Sequence, residues 1–443
     1  MSRFAEKPRC DLVIIGASFA GLSAALEASK AGASVTVLGR KNLFASNSAM
    51  GGGAFALVDT PMQRKRGIRD SAELLAEDIL RMNRHTIPED EVNAIAEEAA
   101  KLYDWLTGLG AIFYTLRPFP GHSVERVHLE SGMSGANTLR KLYQAAVSTS
   151  IDIRLGTLAE HLILDNHDKV EGVQAIRDGN RIEIRSSKAV VIAAGGFGKN
   201  KSMMAEYMPH LLDLPCYSAA GSTGDGIRMG LEAGADLHNI DAALVTSGGS
   251  VTKACEIPGI VETLTEGAIL VNRKGKRFFD ESKGYCLAAI PVMHQPGGVA
   301  LLVTDEKILQ GIEKVSKLMD KYLNTGIFHY GETAAELARA AGMDCSQSFQ
   351  ETISQVFPSG KLYGAWVRAG IIQTNGGLKV DGRFRVMHKQ GHPIPRLYAA
   401  GDSTPSLGGA ATPECPCPGY IAGSGFLLSL ASGRIAGRNA AQE

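Results

Sequence analysis

The chain has 443 residues, 44% of them hydrophobic, with 46 Lys and Arg balanced by 46 Asp and Glu. That length supports a large core and two domains, while the balanced charge gives no electrostatic ground for a nucleic-acid partner. The seven cysteines form no convincing metal spacing, the N-terminus enters the first strand without an apolar leader, and no apolar run spans a bilayer; the expectation is a reducing, cytoplasmic compartment with no membrane span and no metal.

Asp11 to Lys41 reads as strand, tight turn, helix, strand. The apolar run Val13 to Ile15 suits a buried parallel strand, Gly16-Ala17-Ser18-Phe19-Ala20-Gly21 forms the turn, and Leu22 to Lys30 is amphipathic before a second apolar run at Val35 to Leu38. Gly16 supplies the backbone angles of the turn. Gly21 lets the helix approach the sheet, so the first-turn N–H groups face a dinucleotide pyrophosphate. Ser18 stands where a glycine is usual. At the end of the second strand, where an acid normally accepts a ribose hydroxyl, the chain has Gly39-Arg40-Lys41. The basic pair suits an NADP 2′-phosphate, whereas an FAD site can hold its ribose through backbone or water.

Ser46, Asn47 and Ser48, followed by Gly51-Gly52-Gly53, offer hydroxyl, amide and backbone N–H groups to a flat polar ring, or form a plain loop. Ser71 to Leu109 has helical spacing, with Tyr103 and Trp105 as packing residues. His122, Arg126 and His128 are read as substrate or flavin contacts or as solvated loop residues. Asn166-His167-Asp168-Lys169 is a hairpin turn, and Ala189 to Ala194 returns to the parallel sheet before Gly195, Gly196 and Gly198. Asp225 opens another helix after a glycine turn. Beyond Ile240 the order changes, with a strand at VALLVTD and mixed helices from Asp305 to Val356 in an inserted unit. The chain resumes at Gly370 and ends in a helix from Phe426 to Ala440. Cys415 and Cys417 read as loop residues, with a redox pair as the alternative.

GASFAG, NSAMGGG, VVIAAGGFG, STGDGIRMGLEAGA, GAILVNRKGKRFFDE, TNGGLKVD and PIPRLYAAGD occur in this order. As a set they resemble the FAD-dependent fumarate reductase, succinate dehydrogenase and 3-ketosteroid dehydrogenase flavoprotein superfamily. The resemblance implies an α/β fold, a Rossmann-like FAD-binding domain with an inserted α+β cap domain. The expected division is 1–239 and 359–443 for the FAD-binding domain and 240–358 for the cap. Implied FAD neighbours are Gly16, Ser18, Ala20, Gly21, Arg40, Lys41, Ser46, Asn47, Ser48, Gly51, Gly52, Ala194, Gly195, Gly196, Asp225, Gly401, Asp402, Gly425 and Phe426. The flavin is expected to be non-covalent, because no histidine precedes the Gly51 run where the linkage site of respiratory members is resembled.

Positions resembling the cationic sites of fumarate chemistry carry Leu264, Tyr285 and Ile421, and the usual histidine is replaced within Gln373-Thr374-Asn375. A dicarboxylate would be poorly compensated there. Tyr285 in FFDESKGY resembles the tyrosine segment of the ketosteroid dehydrogenases, so the expectation places the chain nearest that branch. The expected reaction is on a CH–CH bond beside a carbonyl, with hydride passing to or from flavin N5. Tyr285 is the expected base, Tyr420 and the Gly425 N–H the enolate stabilisers, and Tyr114 a further partner for Tyr285. The expected partners are a neutral or mainly apolar carbonyl compound and an external electron donor or acceptor. The alternatives are a reductase of an unsaturated carboxylic acid using Arg126, Lys283 or Arg117, and a non-catalytic flavin electron-transfer subunit.

Overall fold

The computed structural model describes residues 9–132, 134–251, 263–264, 266–311, 327–413 and 415–443. Residues 312–326, within the expected helical stretch from Asp305 to Val356, lie outside the described residues.

The first strand, Arg9–Ile15, sits inside a sheet whose strand path runs Arg385–Met387, Pro393–Ala399, Asn180–Ile192, Arg9–Ile15, Val35–Gly39, Asp152–Leu155. From Pro393–Ala399 to Asp152–Leu155 the pairing is parallel. Covered on both faces, these strands are apolar throughout instead of alternating: Leu12, Val13 and Ile14 are fully buried. The hairpin Thr157–Leu164 and Val170–Arg177 adds to the edge of Asn180–Ile192, with Asp168 at φ 58° in the expected turn. The α/β Rossmann-like architecture thus has strands from both ends of the chain in one sheet.

A second, antiparallel sheet forms the inserted cap. Its path is Ala243–Ser250, Leu362–Thr374, Val299–Asp305, Ile269–Val271, with His329–Gly331 also on Leu362–Thr374. Leu264, Ala268, Ala288 and Val292 cover one face together with Tyr363, Ala365 and Val367. Leu337, Ala338, Phe349 and Ile353 cover the other. The sequence reading starts the return to the FAD-binding domain at Gly370; here Leu362–Thr374 is one continuous strand of the cap sheet, because its whole length is paired.

Two helices fix the cofactor side. Phe19–Lys30 packs along the C-terminal helix Ser424–Ala440, and the contact is so close that a Cβ on Gly433 or Gly437 would lie 2.2 Å from the carbonyl oxygen of Ala20 or Ala24. Salt bridges reinforce it. Arg434 reaches Glu27 at 3.1 Å and Glu98 at 3.0 Å, and its guanidinium lies 4.6 Å over the Trp105 ring, which is the packing role expected of Trp105. Burial disfavours the Glu98 carboxylate, but Lys101, Arg434 and Arg438 bring its pKa below the usual range.

Beside these lies a small sheet of Ala54–Ala56, Val127–Glu130 and Phe113–Arg117. Arg126, fully buried, meets Asp70 at 2.8 Å and Asp78 at 2.9 Å. His128, also fully buried, contacts the Arg126 carbonyl through Nδ1 and the Thr60 hydroxyl through Nε2, both at 2.8 Å. Both are buried structural contacts, so neither is a solvated loop residue.

Two outcomes test this packing. Gly433→Val should cost about 1–3 kcal/mol by forcing the helices apart, seen as a lower urea midpoint; an unchanged midpoint would contradict the close contact. His128 has its pKa lowered from 6.5 to about 4, chiefly by burial. A depressed folded-state value contributes stability above the unfolded pKa that is lost as pH falls, so stability should decline from about pH 6.5 towards pH 4, by up to about 3 kcal/mol for this residue. His128→Gln should flatten that part of the urea-midpoint profile.

Candidate functional site

A cleft of about 950 Å³, open mouth included, runs along the carboxyl ends of the parallel strands. Gly16, Ser18, Ala20, Arg40, Ser46, Asn47, Ser48, Ala194, Gly195, Asp225, Gly401 and Asp402 line it. Gly16 has φ 118°, and a Cβ there would sit 2.1 Å from the Ala193 carbonyl oxygen, so the turn admits only glycine. Gly21 lies behind the cleft. A Cβ on it would meet the Gly16 oxygen at 1.7 Å, which is how closely the first helix is pressed to the turn that aims its free N–H groups into the cleft.

Ser48 Oγ accepts from the Phe19 amide at 3.3 Å. Asn47 donates to Asp402 at 2.8 Å and accepts from the Ala219 amide at 2.8 Å, so three segments distant in sequence meet at one amide. Burial raises the Asp402 pKa, and the Asn47 bond lowers it in part. At the other end of the cleft, Arg40 meets Asp225 at 3.1 Å and Thr223 at 2.8 Å. The acid missing at position 39 has a steric reason: a Cβ on Gly39 would lie 2.9 Å from Ala17 Cβ and 3.0 Å from Leu155 Cδ2. Lys41 is exposed and does not line the cleft.

Gly51 and Phe426 pack on each other. A Cβ on Gly51 would be 2.3 Å from the Phe426 ring, whose centroid lies 4.8 Å from Phe19 and 4.9 Å from Phe55. Gly196 backs on Thr374, whose Oγ1 would lie 2.3 Å from a Cβ at that position, and neither Gly196 nor Gly52 lines the cleft. Sequence reasoning passed over Ala219, Ser222 and Thr157, which also line it. The first two stand in YSAAGSTGD, directly before Asp225, a proximity that was the available signal. The glycine turn, open helix start and polar groups along the cleft fit a dinucleotide.

The second part of the site lies where the cap meets the C-terminal helix. The Tyr285 hydroxyl is 3.5 Å from that of Tyr420, with ring centroids 6.3 Å apart. Tyr285 begins the cap helix Tyr285–Met293 after Gly284, and Tyr420 precedes the C-terminal helix, whose N-cap Gly423 has φ 81° and provides no side-chain cap. First-turn amides of that helix, Gly425 among them, therefore lack an intrahelical acceptor. Burial, followed by the nearby Cys286 thiol, raises the Tyr420 pKa and keeps the phenol protonated. Tyr114 sits in the outer strand of the small sheet, 42% exposed.

Among the described residues, the groups that act on the Tyr420 phenol are the Cys286 and Cys417 thiols and the Tyr285 hydroxyl. Leu264 is buried in the cap core and Ile421 in the main core. Gln373 donates to Asn375 at 3.3 Å, and Asn375 donates to Cys417 Sγ at 2.8 Å. Burial pushes the Cys417 thiol up to about 12 and raises Cys415 and Cys286 as well. His122 contacts the Ala422 carbonyl through Nε2 at 2.9 Å, and burial lowers its pKa to about 4, so it is neutral at ordinary pH. Arg126 is held by Asp70 and Asp78, Arg117 by Glu266 at 2.6 Å, and Lys283 is exposed. No described helix is long and apolar enough to cross a membrane.

A family profile described as an FAD binding domain matches residues 11–415. A probable fumarate reductase of Shewanella frigidimarina is 30% identical over 454 aligned residues, covering 97% of this chain and 74% of that protein. A urocanate reductase of Eggerthella lenta is 28% identical, covering 97% and 74%. Among solved structures, the open conformation of a flavocytochrome c3 fumarate reductase superposes with a TM-score of 0.83 at 28% identity, covering 99% of this chain and 79% of that one. A 3-ketosteroid-Δ4-(5α)-dehydrogenase from Rhodococcus jostii RHA1 gives 0.75 at 24%, covering all of both chains, which shows the fold alone. The expected affinity with the ketosteroid dehydrogenase branch is thereby overturned: the Shewanella fumarate reductase and the flavocytochrome c3 fumarate reductase match more strongly, in sequence and in fold respectively, than this dehydrogenase does. One tyrosine in a short segment carried that expectation, and it is outweighed by agreement along nearly the whole chain. The chain belongs to the FAD-binding flavoprotein family that includes the fumarate reductases, and is an FAD-dependent oxidoreductase of the kind that acts on CH–CH bonds.

Proposed function

We propose that the protein reduces the C=C bond of an unsaturated carboxylic acid that carries one carboxylate and is otherwise uncharged. The observation that carries this is the Tyr285 and Tyr420 hydroxyl pair, 3.5 Å apart at the open start of the C-terminal helix. Relatives named for the reduction of fumarate and urocanate support an unsaturated acid. The uncharged described surroundings support one carboxylate instead of two, since each further buried charge would need its own partner.

The proposed domain division is 1–239, 240–358 and 359–443, with the returning chain completing the cap sheet through Leu362–Thr374. Asp402, Asn47, Ser48 and Asp225 would hold FAD by hydrogen bonds, with the amide of Ala20 at its pyrophosphate. When bound, FAD supplies a hydride to the β-carbon of the conjugated system. The carboxylate is received by the Gly425 amide and the Tyr420 hydroxyl, which polarise it as negative charge builds on its oxygens. Tyr285 delivers its hydroxyl proton to the α-carbon. As it does so, its hydrogen bond to the Tyr420 oxygen is given up, while Tyr420, which burial holds protonated, keeps its own hydroxyl on the carboxylate. Cysteine side chains and Ile421 exclude water from the pair.

A neutral unsaturated carbonyl compound is the second reading, favoured by the absence of an unpaired guanidinium around the tyrosines among the described residues. An external reductant is required in either case.

Flavin absorbance titration separates the readings: a mono-acid with a conjugated C=C should perturb the spectrum and reoxidise reduced enzyme, while fumarate binds less tightly. Response to an uncharged enone alone would favour the second reading; tight fumarate binding would overturn both. Tyr285→Phe should retain FAD and lose roughly a hundredfold in the reoxidation step, as expected for a missing general acid. A wild-type rate in that variant would remove Tyr285 from the mechanism. Asp402→Ala should weaken FAD binding by about tenfold or more, read from flavin fluorescence on dilution without any turnover assay.

A further inference from the structure

We propose that Arg117 and Glu266 form a latch that positions the cap so that Tyr285 meets Tyr420; this rests on the function proposed above. Arg117 ends the strand Phe113–Arg117 of the small sheet, on the FAD-binding side. Its Nη1 meets Glu266 Oε1 of the cap at 2.6 Å, and its Nη2 donates to the Gly311 carbonyl, also in the cap, at 3.3 Å.

The segment that follows Arg117 runs straight to the tyrosine site. Pro120 lies by Gly284, the residue before Tyr285, since a Cβ on Gly284 would be 4.0 Å from Pro120 Cγ. Gly121, at φ 91°, lies against Ile421, where a Cβ would come within 2.3 Å of Cγ2. Arg81 holds the Gly121 carbonyl at 2.9 Å, and His122 closes the segment on the Ala422 carbonyl at 2.9 Å. A single short segment is therefore tied to the cap at its start and to the Tyr420 loop at its end. When the cap is seated, both ends are satisfied and the hydroxyls meet; when the cap lifts, the ion pair and the Gly311 bond are the contacts that break on the Arg117 side.

The pair is partly exposed, at 30% and 41% of the two side chains. Exposure makes the bond weak and reversible, which suits a contact that must open for substrate and close for chemistry. Arg117 is thus a positioning residue: it shifts the balance between open and closed cap without touching substrate.

The test uses the FAD-loaded protein. Arg117→Gln and Glu266→Gln should each raise KM for a conjugated mono-acid by about two- to fivefold, the range of an exposed ion pair, with kcat kept because saturating substrate closes the cap. The double variant should be no worse than either single one, and Arg117→Glu with Glu266→Arg should recover most of the loss. Added salt should raise KM in the wild type and leave the Gln variants unaffected. Hydrogen–deuterium exchange without substrate should show faster exchange over Tyr285–Met293 in both single variants. Additive effects, equal salt response or unchanged exchange would each overturn the latch. The exchange readout needs no substrate, so a normal exchange response with no turnover of any unsaturated acid would overturn the proposed function and leave the latch standing.

Discussion

Backbone pressed against backbone along the first helix is the constraint on which both halves of the site depend. On one side the helix meets the Gly16 turn, where a Cβ on Gly21 would fall 1.7 Å from a carbonyl oxygen. On the other it meets the C-terminal helix, where Gly433 and Gly437 leave the same kind of gap, 2.2 Å from a carbonyl oxygen. Side chains at these positions would move the helix outward by a substantial part of an interhelical spacing. The first contact aims free amides into the cofactor cleft. The second fixes the start of the C-terminal helix, and with it Tyr420, relative to that cleft.

Charge is handled by burial throughout. Arg126 is sunk in the core and ion-paired with Asp70 and Asp78. Burial raises the Asp70 pKa while Arg126 and Gln63 oppose it, and at Asp78 the Ser123 amide and Arg81 overcome burial so that its pKa is lowered. A guanidinium at Leu264 or Ile421 would stand among the apolar side chains of the two cores, where an ion without a partner is costly. The described packing beside Tyr420 is thus apolar and thiol-bearing. Under the proposed function, substrate selection falls to hydrogen-bond donors and shape, which tolerate one carboxylate far better than two.

Features set by neighbours in sequence were legible before the structure. The glycine turn, the hairpin at Asp168, the helices from Ser71 to Leu109 and the final helix follow from local spacing and from residues that punctuate it. The meeting of Tyr285 and Tyr420 was only half legible, because those residues are 135 positions apart and their contact depends on where the cap docks. Gly39 looked like a missing acid; only the positions of Ala17 and Leu155 show that a side chain there has no room. Arg40 looked like a phosphate contact, and its guanidinium is engaged across the cleft mouth by Asp225 and Thr223. The sequence reading resumed the chain at Gly370, inside the strand Leu362–Thr374; in the cap sheet that glycine is a small residue under Tyr217, whose ring leaves no space for a Cβ.

The thiols around Tyr420 show how the same burial serves the chemistry. A C=C bond conjugated to a carboxyl or carbonyl group is an electrophile, and a thiolate adds to it where a thiol does not. Burial, with the neighbouring Cys415 thiol, pushes Cys417 up to about 12, and burial raises Cys286 as well. These groups are therefore held as neutral, compact walls beside a substrate of the proposed kind. The phenol of Tyr420 is kept protonated by the same desolvation. A cation placed nearby to grip a second carboxylate would stabilise thiolate and phenolate together, lowering each pKa. Under the proposed function, a surround without cations and the safe use of cysteine are one electrostatic condition, which lets phenols transfer protons without a competing thiolate nucleophile.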